Sequence, residues 1–133
     1  GRPNALRSMT QALDGHYICG QHDEGYKNVQ LDRIVGSEGR SEDFDGQYRP
    51  LKGHTAKRWY SVAQATLTGV TLPPVRLIRI GEEYYVRDGN HRVSVARAFG
   101  QAAIEAEVTV YHLAPKTVAS QTPFSGLEVA AAA

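Results

Sequence analysis

The sequence predicts an α+β fold, a small mixed sheet packed by helices. Three observations carry this. Stretches of alternating or continuous apolar residues and two stretches with helical spacing follow one another as strand, loop, helix, two strands, helix, strand. Sharp punctuation separates them: Gly69, Pro73-Pro74, Gly81 and Asp88-Gly89-Asn90. Finally, 133 residues with 41% hydrophobic side chains suffice for one compact core and not for two.

The elements follow in order. Asn4 can cap a first helix reaching Leu13, with Ala5, Met9, Ala12 and Leu13 near one face and Asp14-Gly15 as its end. His16 to Tyr26 is polar and reads as loop. Val29 to Ile34 alternates apolar and polar, the period of a half-buried strand. Gly36, Gly39 and a charged run through Asp45 then form a long loop. Trp59, Val62 and Ala63 set a helix over Ala56–Leu67, with Thr55 as N-cap and Gly69 as stop. Pro73-Pro74 forces extension and delivers a strand over Val75–Ile80. Gly81-Glu82 turns into Tyr84-Tyr85-Val86, a hairpin signal. After Asp88-Gly89-Asn90 a helix carries Val93, Val95, Ala96 and Phe99 and closes at Gly100, and Ile104 to Tyr111 is the last strand. The division is therefore 1–27 as a helix and polar loop extension, 28–113 as the folded domain, and 114–133 as an extended or partly disordered tail.

Fifteen Lys and Arg against fourteen Asp and Glu leave a formal charge of +1. That excludes a bulk cationic surface wrapped in nucleic acid, though not a local basic cleft. A single cysteine, Cys19, makes no internal disulfide and fits a reducing compartment, so a cytoplasmic location is expected. No apolar run is long enough for a membrane helix, and no membrane partner is expected. The phosphate loop that ends in Lys-Ser/Thr is absent, which removes the P-loop ATPases.

The chemistry concentrates in Tyr85 to Gly100. A strand turns through Gly89 straight into a helix whose first turn bears His91 and Arg92. The first N–H groups of a helix lack internal partners and lie at the positive end of its dipole. Glycine lets an anion approach the backbone, and Arg92 offers a fork of donors. From the residues alone two readings stay open: a phosphate site, or Asp88 as a plain N-cap beside a turn and a solvated helix start.

Asp88-Gly89-Asn90-His91-Arg92, between a strand and an Ala-containing helix ending at Gly100, resembles the superfamily of ParB-like and sulfiredoxin-like domains. Partition proteins carry Gly-Glu-Arg-Arg at this junction, sulfiredoxins Gly-Gly-Cys-His-Arg, archaeal free-serine kinases Asp-Gly-His-(Thr/His)-Arg, and some DNA-modification proteins Asp-Gly-Gln-His-Arg. Val29–Ile34 is similar to the family's opening strand. Arg58–Leu67, Gly69 and Pro74-Val75 resemble the helix, glycine and strand before the box, and Ile104–Val110 the strand after it, so residues 28–112 are covered.

The resemblance implies a ParB/sulfiredoxin-like fold and contact with nucleotide or phosphate through Gly89, Asn90, His91 and Arg92. The nucleotide would be ATP or CTP, with magnesium left open. DNA is the implied macromolecular partner, in a nucleotide-dependent binding or nuclease-type module, and a homodimer stays open. One alternative is a small-molecule kinase using ATP or ADP, with Glu38 or Asp88 as catalytic base. Another is a non-catalytic nucleotide sensor. Arg40 is the best match to the Arg of the family's pocket-lining loop. His54, Thr55, Lys57 and Arg58 at the next helix start are candidates for phosphate or nucleic-acid contact, against the reading as a solvated surface. The box holds Asn90 where sulfiredoxins hold their cysteine, so sulfiredoxin chemistry is not expected. His16-x-x-Cys19-x-x-His22 matches no paired zinc knuckle, and no metal is expected. Trp59 is read as core packing and rim rather than a base-stacking platform.

Overall fold

Val75 and Leu77, Tyr84 and Val86, and Ala106, Val108 and Val110 recur at every second position of their strands, and that period lays one apolar face along a sheet. In the computed structural model, which describes residues 6–39, 41–51 and 53–116, the elements are β1 (Arg7–Ser8), α1 (Met9–Ala12), β2 (His16–Gln30), β3 (Ile34–Ser37), α2 (Gly53–Leu67), β4 (Val75–Ile80), β5 (Glu83–Asp88), α3 (Asn90–Ala98) and β6 (Ala103–Pro115). The strands form one sheet in the order β1-β3-β5-β4-β6-β2. β4 with β5 and β2 with β6 are antiparallel; β1 with β3, β3 with β5 and β4 with β6 are parallel. This is the mixed α+β architecture that the residue pattern predicts.

The two faces are covered unequally. On one, Val75, Leu77, Val86 and Val108 pack with Val93 and Ala96 of α3 and with Phe44 and Tyr48 from the segment before α2. Burying a side chain such as Leu77 contributes about 1.5–3 kcal/mol. On the other, Ile78, Tyr85 and Tyr111 meet Met9 of α1, flanked by Leu13 and Ile80. No helix among the described residues is long and apolar enough to cross a membrane.

Five local expectations are corrected. His16 to Tyr26 is strand, not loop: it belongs to β2, which is registered on β6 from His16↔Pro115 to Gln30↔Ala103. Its side chains are mostly exposed, and irregularities at Ile18/Gly20 and Asp23/Gly25 interrupt the period of two that would have revealed it. The first helix shrinks to α1, capped by Ser8 in a reciprocal box with Gln11; Asn4 lies outside the described residues. Val29–Ile34 divides into the end of β2, a 3₁₀ turn over Leu31–Arg33, and the start of β3. Thr55 is no cap, because α2 already begins at Gly53. β6 also runs past Tyr111 to Pro115, while residues 117–133 lie outside the described part.

Candidate functional site

Because β3 and β5 are parallel, their C-terminal ends leave the sheet at the same edge, and β4, antiparallel to β5, enters there from Pro73-Pro74. Crevices beyond the carboxyl ends of strands are the usual ligand sites of open α/β sheets. A cavity of about 350 Å³ lies at this edge, lined by Gly39, Arg58, Val62, Leu72, Pro73 and the whole stretch from Arg87 to Arg92. A smaller, adjoining hollow of about 210 Å³ shares Leu72, Pro73 and Arg92 and continues past Val70, Val95 and Ile104.

Gly89 is the hinge of the site. Its φ of +114° is the N-cap conformation of α3, and as a glycine it makes no side-chain cap bond. A β-carbon there would meet the Val75 side chain at 2.6 Å and 2.9 Å, so strand and helix pack too closely for any other residue. The start of α3 therefore faces the cavity, and its cap residue, a glycine, has no side chain to offer the first N–H groups.

Arg92 is largely committed within the chain. Its Nη1 donates to the carbonyls of Pro73 (2.6 Å) and Pro74 (3.1 Å), and its Nη2 to Asp88 Oδ2 (3.1 Å). The side chain is only 16% exposed, whereas that of Asp88 is 66% exposed. Arg92 thus ties the entry of β4 to the start of α3 and keeps part of its donor fork for a ligand.

Phe44 and Tyr48 stand behind the box. The Phe44 ring meets His91 edge-on at 5.3 Å between centroids and Tyr48 at 5.4 Å. The Tyr48 hydroxyl lies 2.9 Å from both Gly36 O and Asn90 Oδ1. Burial pushes the Tyr48 phenol far above its usual range, so it stays protonated.

Glu38 reaches the same edge, with its N–H on Val86 O at 2.9 Å. Both its carboxylate oxygens accept from Arg87, at 3.1 Å and 3.3 Å, and Arg87 also donates to the Tyr111 hydroxyl. The Glu38 hydrogen bond comes first in holding the Arg87 guanidinium above its ordinary range, and burial works against it. Arg58 lines the cavity and makes no ion pair among the described residues. Lys57 is exposed and Thr55 buried, and neither lines the cavity. Arg40 and the side chain of His54 lie outside the described residues.

The structure therefore brings together Arg58, Asp88, Gly89, Asn90, His91 and Arg92, with Glu38 one residue away from the lining Gly39. Sequence reasoning missed Arg87, Tyr48 and Phe44. Arg87 was open to notice as the residue before the box; nothing in the sequence pattern signals the other two. Arg76 and Arg79 do not line the cavity and pair with Glu107 and Glu24. Trp59 is half-buried and donates to Ser94 Oγ at 2.7 Å. Cys19 donates to His112 O, and His22 Nδ1 meets His112 Nε2 at 2.8 Å. No group of three or more His, Cys, Asp or Glu side chains is arranged to hold a metal among the described residues.

Fold and cavity define an α+β domain with a cation-lined pocket where parallel strands end and a helix begins. Among solved structures the chain is similar to sulfiredoxin from Arabidopsis thaliana, at 16% identity and a TM-score of 0.47, over 62% of this chain and 82% of that one. No family model and no curated protein matches it.

Proposed function

We propose that the chain is a nucleotide- or phosphate-binding domain of the ParB-like type, with the phosphate held at the start of α3. One observation carries the reading: α3 is capped by a glycine with φ +114° and no side-chain cap bond, and it opens on a cavity lined by Arg58, Arg87, Arg92 and Asp88. The helix N–H groups and dipole attract an anion there. Arg58, with no ion pair among the described residues, supplies a charge, and the spare donors of Arg92 a directed one. A ligand phosphate would take the place of Asp88 on Arg92 and leave the bonds to Pro73 and Pro74 intact. The adjoining apolar hollow would take the less polar part of a nucleotide.

In this reading the domain binds rather than transforms its ligand, since the carboxylate of Glu38 is already held by Arg87. DNA is the proposed macromolecular partner, met on the side of Lys57 and Arg58. Calorimetry with ATP, CTP and inorganic pyrophosphate, each with and without magnesium, tests the pocket. A gel shift with duplex DNA, with and without the nucleotide that binds, tests the partner. Absence of heat with every phosphate compound would remove the proposal.

A further inference from the structure

We infer that Tyr48 is a positioning residue that turns the amide of Asn90 with its oxygen toward the cavity, so that the ligand carries an electropositive group, a hydroxyl hydrogen or a metal ion, beside its phosphate. The inference rests on the proposed phosphate site and specifies the chemistry of what fills it.

The argument is one of proton counting. The Tyr48 hydroxyl has one proton and lies 2.9 Å from two oxygens, Gly36 O and Asn90 Oδ1. With the amide in that sense, one of the two contacts sets oxygen against oxygen without a hydrogen. A half-turn of the amide, which exchanges groups of nearly equal size, makes both contacts hydrogen bonds. Tyr48 then donates to Gly36 O and accepts from the Asn90 amino group. Asn90 lines the cavity, and the half-turn releases its oxygen from Tyr48, which makes that oxygen the inferred acceptor for a ligand. Exposed Asp88 supplies further acceptor oxygens at the same helix start. A bare polyanion would meet these acceptors unfavourably, whereas a donor or a cation beside the phosphate satisfies them.

Tyr48 is held firmly enough to impose this choice. It is 1% exposed and is the non-glycine residue at positive φ, +66°, among the described residues. Its N–H donates to Asp45 O at 2.9 Å, its carbonyl accepts from Ser94 Oγ, and Trp59 Nε1 donates to that same Oγ. Backbone held in a sparsely populated region by surrounding contacts is characteristic of sites where a side chain must be aimed.

The test is calorimetry of the parent chain and Tyr48→Phe with three probes: inorganic pyrophosphate free of metal, pyrophosphate with magnesium, and ADP free of metal. Tyr48→Phe should weaken magnesium pyrophosphate or ADP by about five- to ten-fold, the worth of one hydrogen bond, and leave metal-free pyrophosphate within about two-fold. The weakened arm identifies the metal ion or the hydroxyl as the group read. If Tyr48→Phe fails to fold, Asn90→Asp and Asn90→Leu make the same comparison: Asp keeps an acceptor and retains the preference, Leu loses it. Equal weakening of all three probes, or of none, would overturn the inference. Parent chain that binds metal-free pyrophosphate alone would overturn it and leave the phosphate site standing. Parent chain that binds none of the three would remove both.

Discussion

Arg92→Ala separates a residue that only grips a ligand from one that also holds the fold. The sequence reads Arg92 as a donor to phosphate; the structure also gives it two backbone carbonyls to hold. Pro73 O and Pro74 O accept at 2.6 Å and 3.1 Å, the first at the surface and the second partly buried. A hydrogen bond from a charged donor is worth about 1.5–3 kcal/mol. Solvent reduces the Pro73 bond, and the exposed Asp88 pair adds only about 0–1 kcal/mol. A loss of about 2–3 kcal/mol follows, which for a chain of 133 residues lowers Tm by about 7–11 °C. Circular dichroism melting of the unliganded variant measures it directly. Arg92→Lys should recover less than half of the loss, since one ammonium cannot reproduce the planar fork. A variant that melts within about 2 °C of the parent while losing phosphate affinity would refute the structural role and restore the simpler reading.

Three further outcomes are expected. Gly89→Ala should cost about 3 kcal/mol from backbone strain and the Val75 contact, whereas Gly39→Ala, whose new methyl meets open space, should melt within about 2 °C of the parent. Glu38→Gln should leave phosphate affinity equal or raise it by about two- to five-fold, because it weakens the neutralisation of Arg87 beside the cavity; nucleotide turnover that collapsed while binding survived would instead make Glu38 a base. For Asp45, burial works to raise the pKa, but hydrogen bonds from the backbone and side chain of Arg49 and the backbone of Gln47 outweigh it and hold the carboxyl below 3.8. A depressed folded pKa means stabilisation present above 3.8 and lost as pH falls through the folded value. Urea titrations at about pH 7 and at successively lower pH below 3.8 should therefore show Asp45→Asn well below the parent at neutral pH, with the gap narrowing as the pH falls.

Legibility tracked burial. β4, delivered by Pro73-Pro74 and ended before Gly81, is found from Val75 to Ile80 as its pattern implies, because it lies between two strands with both faces packed. α3 follows its glycine for the same reason: Gly89 is fixed by the Val75 contact and the helix by Val93 and Ala96 in the core. β2 was illegible because its stability comes from backbone pairing with β6 while its side chains stay mostly in water, so no hydrophobic period is written into it. Tyr48 was illegible for a different reason. A buried tyrosine at positive φ is imposed jointly by Ser94, distant in the sequence on α3, and by Asp45 and Phe44 just before it in the chain.

The same distinction explains why the box reads as a ligand motif in sequence and as a structural junction in three dimensions. In the free chain its charges are already matched: Asp88 with Arg92, and Glu38 with Arg87 just beyond it. Each pair is partly exposed, so each costs little to exchange for a phosphate oxygen. The bonds from Arg92 Nη1 to the proline carbonyls are not part of that exchange, since a phosphate accepts hydrogen bonds and cannot replace an acceptor. Arg92 can therefore hold the junction and meet a ligand at once, with different nitrogens. Arg58, a lining cation with no ion pair among the described residues, is then the group whose charge the proposed anion would meet uncompensated, while Gly89, packed against the Val75 side chain, is what lets α3 start so close to β4.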